Sequence, residues 1–220
     1  MAWCLWKVFF RLQVSGQENI PRDGGGLIVA NHTSFLDPLL ICAVMPRVVH
    51  YITYSFFYHH PAIHWYCKRV CCIPVRKAGN DIAALKHTFR LLKQGELIGI
   101  FPEGRRSETG QLVKGEPGVG LIALKAKVPI VPIGIAGAYQ AFPKGAKWPK
   151  PIAITLTIGK PFLLDQDADR FHIMSAEDTH QAATDLIMTK IAELCEQTGD
   201  RRPPQDVLEA KKFQSEDFIL

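Results

Sequence analysis

The chain has 220 residues, 47% of them apolar and 21% charged. That is a globular composition, sufficient for one sizeable domain and unlike a disordered chain. A net charge of +5 with a mean hydropathy of +0.03 suits an anionic partner such as a membrane surface or a phosphorylated substrate. Nucleic-acid binding needs a denser basic patch than "RRPP" or "KGAKWPK" supplies.

The first residues, "MAWCLWKVFFRLQV", have no small-residue cleavage site, and a Lys interrupts the apolar run, so a signal peptide is not expected. The run is also shorter than the ~20 residues that cross a bilayer. Trp3, Trp6 and Phe10 share one helical face, with Lys7 and Arg11 nearby. Residues 1–13 therefore read as a short amphipathic helix. It either lies in a membrane interface or packs on the protein's own core.

Residues 15–25 are a turn-rich connection. "GLIVA" (26–30) is a buried strand, 39–45 a helix, 48–53 a strand, Pro61 to Arg69 a helix, and 70–75 a third strand. Asn80 is the expected N-cap of a helix carried by Ile82, Leu85, Phe89 and Leu92 and closed by Gly95. Next come a strand at 97–101, a helix at 118–127, and a strand at 129–138 with Pro129 and Pro132 marking its start or an edge. A strand at 151–159 and a helix at 175–197 follow, the latter opened by a capping box from Ser175 to Asp178.

Strands alternate with helices, so the fold class is α/β: a single domain whose largely parallel sheet is flanked by helices. Its expected extent is 14–199, after the N-terminal segment 1–13 and before a polar tail, 200–220. Six Cys, at 4, 42, 67, 71, 72 and 195, contain no C-x-x-C pair. Buried thiols in a reducing compartment are expected rather than a disulfide framework. His60, His64 and Cys67 recur at helical spacing, but three such groups on one helix make a poor tetrahedral set, so no metal site is expected.

Functional residues of parallel sheets collect at the C-terminal ends of strands. "NHTSFLD" follows the strand at 26–30 and "PEGRRS" the strand at 97–101. His32 and Asp37 can meet only if His32 lies in a turn and Asp37 in the first helical turn. Asp37 before Pro38 has two readings. It caps a helix with Pro behind it, or it orients His32 as a base. Arg105 and Arg106 beside Ser107 form either an anion site or a solvated turn. Arg76 and Lys77, in "PVRK", follow a third strand with the same two readings.

"NHTSFLD" resembles the His-x4-Asp motif of the glycerolipid acyltransferases, the family of the 1-acyl-glycerol-3-phosphate acyltransferases. "FPEGRRS" is similar to their Phe-Pro-Glu-Gly-x-Arg-Ser motif, "CIPVRK" to the block between, and "VPIVPIGIAG" to the apolar block that follows. The resemblance runs from about Val14 to Phe162, in matching order. It implies that His32 is a general base on an acceptor hydroxyl and that Asp37 orients it. Acyl transfer from acyl-CoA or an acyl-carrier protein would then be direct, with no cofactor and no metal. Arg106, with Glu103, Gly104 and Ser107, matches the acceptor-binding motif, Arg106 gripping the phosphate. Asn31 and Ser34 match family positions. Lys77 stands where the family usually has Arg, and Arg76 lies just before it. The resemblance also implies a lysolipid acceptor and peripheral or monotopic attachment at the cytoplasmic face of a membrane. Two alternatives remain: the same chemistry on another lysophospholipid, glycolipid or aminolipid, and a silent lipid-binding scaffold.

Overall fold

The computed structural model describes residues 8–55, 64–65, 67–68, 70–76, 81–164 and 175–197. Trp3, Trp6, Pro61, Lys77, Asn80 and the tail 200–220 lie outside the described residues. The strands are β1 (Gln13–Ser15), β2 (Gly26–Ala30), β3 (Val49–Tyr54), β4 (Ile73–Val75), β5 (Leu97–Ile100), β6 (Ile130–Ala136) and β7 (Thr155–Ile158). The helices are α1 (Asp37–Val44), α2 (Ile82–Lys93), α3 (Gly118–Ala126), the short α4 (Ala138–Ala141) and α5 (Ala176–Gln197).

The strands form one sheet in the order β1-β7-β6-β2-β5-β3-β4. The five strands from β6 to β4 run parallel. β7 is antiparallel to β6, and β1 follows β7. The α/β fold with a mostly parallel sheet is therefore as expected, with a reversed pair at one edge. β2 and β6 are buried along their whole length, because helices cover both faces. Alternating side chains divide between two cores. Ile28, Ala30 and Ile133 pack with Leu40, Ile41 and Val44 of α1. Leu27, Val29 and Ile130 pack with α2, α3 and α5. Phe10 is 5% exposed and belongs to the first core, so at this position the core-packing reading of the N-terminal segment holds.

Four local expectations change. β4 is shorter than the run 70–75, because Cys71 at φ 49° closes a helical turn. Cys71 N–H donates to Lys68 O at 3.4 Å and Cys72 N–H to Cys67 O at 2.9 Å. Asp81 caps α2, accepting from Ala84 N–H at 3.1 Å. The buried stripe of α2 is Ala84, Thr88 and Leu92. Ile82 is 61% exposed, since two residues are about 200° of helical turn. Pro132 lies inside β6 rather than at its start or an edge. Ile133 pairs with Ile158 and Ile130 with Phe162, so the returning chain has one extra residue opposite Pro132. The irregularity leaves its missing N–H without a ladder partner to disappoint.

Because β2 and β5 are neighbours and parallel, both hallmark turns leave the sheet side by side. β6 ends at the same edge.

Candidate active site

His32 lies one residue past β2, after Asn31, and the chain turns before entering α1. Its Nδ1 lies 2.9 Å from Asp37 Oδ2. Asp37 is fully buried. Oδ2 also accepts Thr33 N–H and Ser34 N–H, both at 2.7 Å. The carboxylate faces the turn behind it, and no side-chain cap bond is made at the start of α1. The N-cap reading of Asp37 is thereby overturned: Pro38 fixes the helix start, while the carboxylate is turned toward His32. A negative charge in a first helical turn is also favoured by the helix dipole.

The Asp37 contact selects the imidazole tautomer. With Nδ1–H donating to Asp37, Nε2 keeps its lone pair. The ring is held from behind by Phe101, stacked at 4.1 Å between centroids, and Phe101 is stacked on Tyr51 at 5.7 Å. Gly99 makes this possible: Tyr51 faces it across the β3–β5 pairing, and a Cβ on Gly99 would meet the Tyr51 ring at 2.5 Å.

The turn after β5 clasps the turn after β2. Glu103 Oε1 accepts His32 N–H at 2.7 Å and Oε2 accepts Val113 N–H at 3.2 Å. Ser107 N–H donates to His32 O at 2.8 Å. Gly104 makes the turn at φ 63°, a left-handed conformation suited to glycine, with its N–H donating to Phe101 O at 3.0 Å. Glu103 is 2% exposed. Burial pushes its carboxyl up to about 8, with the Asp37 charge adding to the rise and the two backbone N–H groups opposing it.

Asn31, Ser34, Glu103 and Ser107 are all buried, and the first three turn their side chains to the protein's own backbone. Asn31 exchanges bonds of 2.9 and 2.8 Å with Ile135 O and N–H, extending the β2–β6 pairing past its last residue. Ser34 Oγ donates to Phe142 O at 2.8 Å. The Ser107 hydroxyl is buried and has no hydrogen-bond partner among the described residues.

A cavity of about 540 Å³ opens at His32. Its apolar lining includes Ile52, Val70, Val75, Ile100, Val119 and Ile122. Charged side chains line it too: Arg105, Arg106 and Lys144, together with Glu108 and Glu116. The Arg106 guanidinium sits 3.5 Å over the Phe35 ring, a cation–π contact that fixes its position. Lys144 pairs with Glu108 at 2.6 Å. One cavity thus offers an imidazole base, cations for an anionic group and an apolar lining.

Arg76 is exposed at the end of β4. Its N–H donates to Asp81 Oδ2 at 3.1 Å, and it does not line the cavity. The sequence reading missed Lys144, Phe35 and the Tyr51–Phe101 stack. Lys144 has a signal in the basic stretch "PKGAKWPK", but no local pattern ties that stretch to the cavity. Among the described residues, no group of three or more His, Cys, Asp or Glu could hold a metal ion. None of the described helices is long and apolar enough to cross a membrane.

The acyltransferase family model matches residues 11–136. A Bacillus subtilis 1-acyl-sn-glycerol-3-phosphate acyltransferase is 30% identical over 83% of this chain and 87% of its own length. The chloroplastic enzyme of that name from Arabidopsis thaliana is 30% identical over 63% of this chain, which spans 40% of that longer protein. The crystal structure of the 1-acyl-sn-glycerophosphate acyltransferase PlsC from Thermotoga maritima superposes with a TM-score of 0.65 at 28% identity, over 85% of this chain and 73% of that one. Both hallmark turns fall within the matched span, and on that match the chain belongs to the acyltransferase family.

Proposed function

We propose that this acyltransferase moves a fatty acyl chain from an acyl thioester to the free hydroxyl of 1-acyl-glycerol 3-phosphate, giving phosphatidate. The observation that carries this reading is the His32–Asp37 contact of 2.9 Å, with His32 lining a cavity that both apolar and cationic side chains also line. The names of the relatives from Bacillus subtilis and Thermotoga maritima support the acceptor.

In this mechanism His32 Nε2 takes the proton of the acceptor hydroxyl, and the oxygen attacks the thioester carbonyl. Asp37 stabilises the imidazolium that forms. The tetrahedral intermediate collapses, the C–S bond breaks, and the His32 proton passes to the departing thiolate. The products are an ester and a free thiol, with no covalent acyl-enzyme, cofactor or metal. Arg106 grips the acceptor phosphate, assisted by Arg105 and Lys144, and the cavity's apolar lining takes the acyl chain. CoA and acyl-carrier protein are both suitable donors. The acceptor lies in a membrane, so the protein works peripherally at the cytoplasmic face, with residues 1–13 as one anchor and 14–199 as the catalytic domain.

Purified protein is tested with labelled acyl-CoA or acyl-carrier protein, lysophosphatidate and a panel of other lysolipids, with His32→Ala as control. His32-dependent phosphatidate formation is the expected result. Turnover confined to another lysolipid moves the acceptor and keeps the mechanism. No turnover with either donor overturns the reading in favour of a silent lipid-binding scaffold.

A further inference from the structure

The loop after α4 is unlike an ordinary surface connection. Trp148 is 81% exposed, and Lys144, Lys147 and Lys150, close to it in sequence, are exposed as well. The loop has a built backbone. Lys150 N–H donates to Ala141 O at 2.7 Å, Ala146 N–H to Pro143 O at 3.2 Å, and Ile152 N–H to Lys150 O at 2.8 Å. Pro143, Pro149 and Pro151 stiffen it further. A large aromatic ring is therefore displayed to solvent by a fixed loop that also exposes three lysines. That is the composition of an interfacial anchor, whose amphipathic ring sits among lipid headgroups while lysines meet phosphates.

Its place in the fold points the same way. The loop starts at Phe142, whose carbonyl accepts from Ser34 Oγ in the turn that carries His32. Lys144 lines the cavity that His32, Arg105 and Arg106 also line. Past the loop, Ile154 N–H donates to Phe10 O at 3.0 Å. The chain thus leaves the loop beside the N-terminal segment, where Val8 is 80% and Phe9 37% exposed.

We propose that residues 143–150 form a second membrane contact, with Trp148 in the headgroup layer of an anionic bilayer and Lys147 and Lys150 on its phosphates. The contact brings the cavity that Lys144 lines to the surface that holds the acceptor. It rests on the reading that the acceptor is a membrane lipid. An acidic carrier protein is the competing occupant, and the exposed indole favours the bilayer over it, because a bare acidic surface gives an aromatic ring nothing to enter.

The test uses the full chain with phosphatidylcholine vesicles, with and without phosphatidylglycerol, read by co-sedimentation. Wild type is expected to bind the anionic vesicles. Lys147→Gln with Lys150→Gln weakens binding roughly thirtyfold, and Trp148→Ala about tenfold. Transfer to vesicle-embedded lysophosphatidate falls in parallel, while transfer to a short-chain, monomeric lysophosphatidate is unchanged. Variants that bind anionic vesicles like wild type overturn the loop contact and leave the proposed reaction standing. A wild type that binds no vesicle overturns the loop contact too, and monomeric turnover then judges the reaction separately. Loss of activity only with carrier-protein donor, with vesicle binding intact, overturns the bilayer in favour of an acidic protein.

Discussion

The turn after β5 and the stretch after β4 carry the same kind of sequence: a strand, a turn and cationic side chains. Their surroundings differ completely. β5 lies beside β2, so Glu103 and Ser107 bond to the backbone of His32, and Arg106 comes to the same cavity as the imidazole. β4 is the edge strand, separated from β5 by β3. Arg76 there stays exposed and serves the cap of α2 through its N–H. A cation at a strand end is thus a candidate only in company with the right neighbouring strand. The order of strands assigns that company, and adjacency in sequence does not.

The comparison breaks outright if the His32 turn is not the reacting centre. His32→Ala is expected to lower kcat by about 10²–10⁴-fold, and Asp37→Asn comparably, with lysophosphatidate binding by calorimetry retained. The comparison sharpens with the arginines. Arg106→Ala should raise the KM for a phosphorylated acceptor about 10–100-fold, the worth of a charge-assisted hydrogen bond, with Arg106→Lys between. Arg76→Ala should leave KM unchanged, and equal effects at the two positions would erase the distinction.

A third expected effect concerns the clasp itself. Glu103→Gln takes an acceptor from one of two backbone N–H groups, at a cost of about 1–3 kcal/mol of stability by denaturant unfolding. The Glu103 carboxyl titrates near 8 when folded and near 4.5 when not. Between those values the folded state holds the proton and the unfolded state does not. Its contribution to stability is therefore full below 4.5 and is lost as pH rises through about 8. The variant should show a flatter stability profile over that interval than wild type, and an identical slope would sink the assignment. The smallest effect is expected at the β4 end. Asp81→Ala loses the cap to Ala84 N–H, lowering Tm slightly with kcat unaffected.

Much of the site was legible because its residues cluster within two short stretches, 31–37 and 101–107. Asp37 shows where that legibility stops. Asp before Pro at a helix start fits a cap equally well, and only the direction of the carboxylate, toward Thr33 and Ser34 N–H rather than into α1, separates the readings. Asn31 and Ser34 were visible as polar turn residues, but their partners, Ile135 and Phe142, lie more than a hundred positions away. Pro132 misled for a related reason. A proline in a central strand is tolerated when the strand opposite has an extra residue, and that slip in pairing has no local signature.

The sequence by itself determined the α/β alternation, the parallel buried strands and the two motif-bearing turns. Each of these follows from local periodicity and backbone preference within a few residues. Tertiary structure alone decided that β2 and β5 are neighbours, that Phe101 and Tyr51 back the imidazole, and that Lys144 reaches the cavity while Arg76 does not. Those outcomes depend on which strands pair across the sheet, a choice made by burying both faces of the whole sheet at once and written in no single stretch of chain.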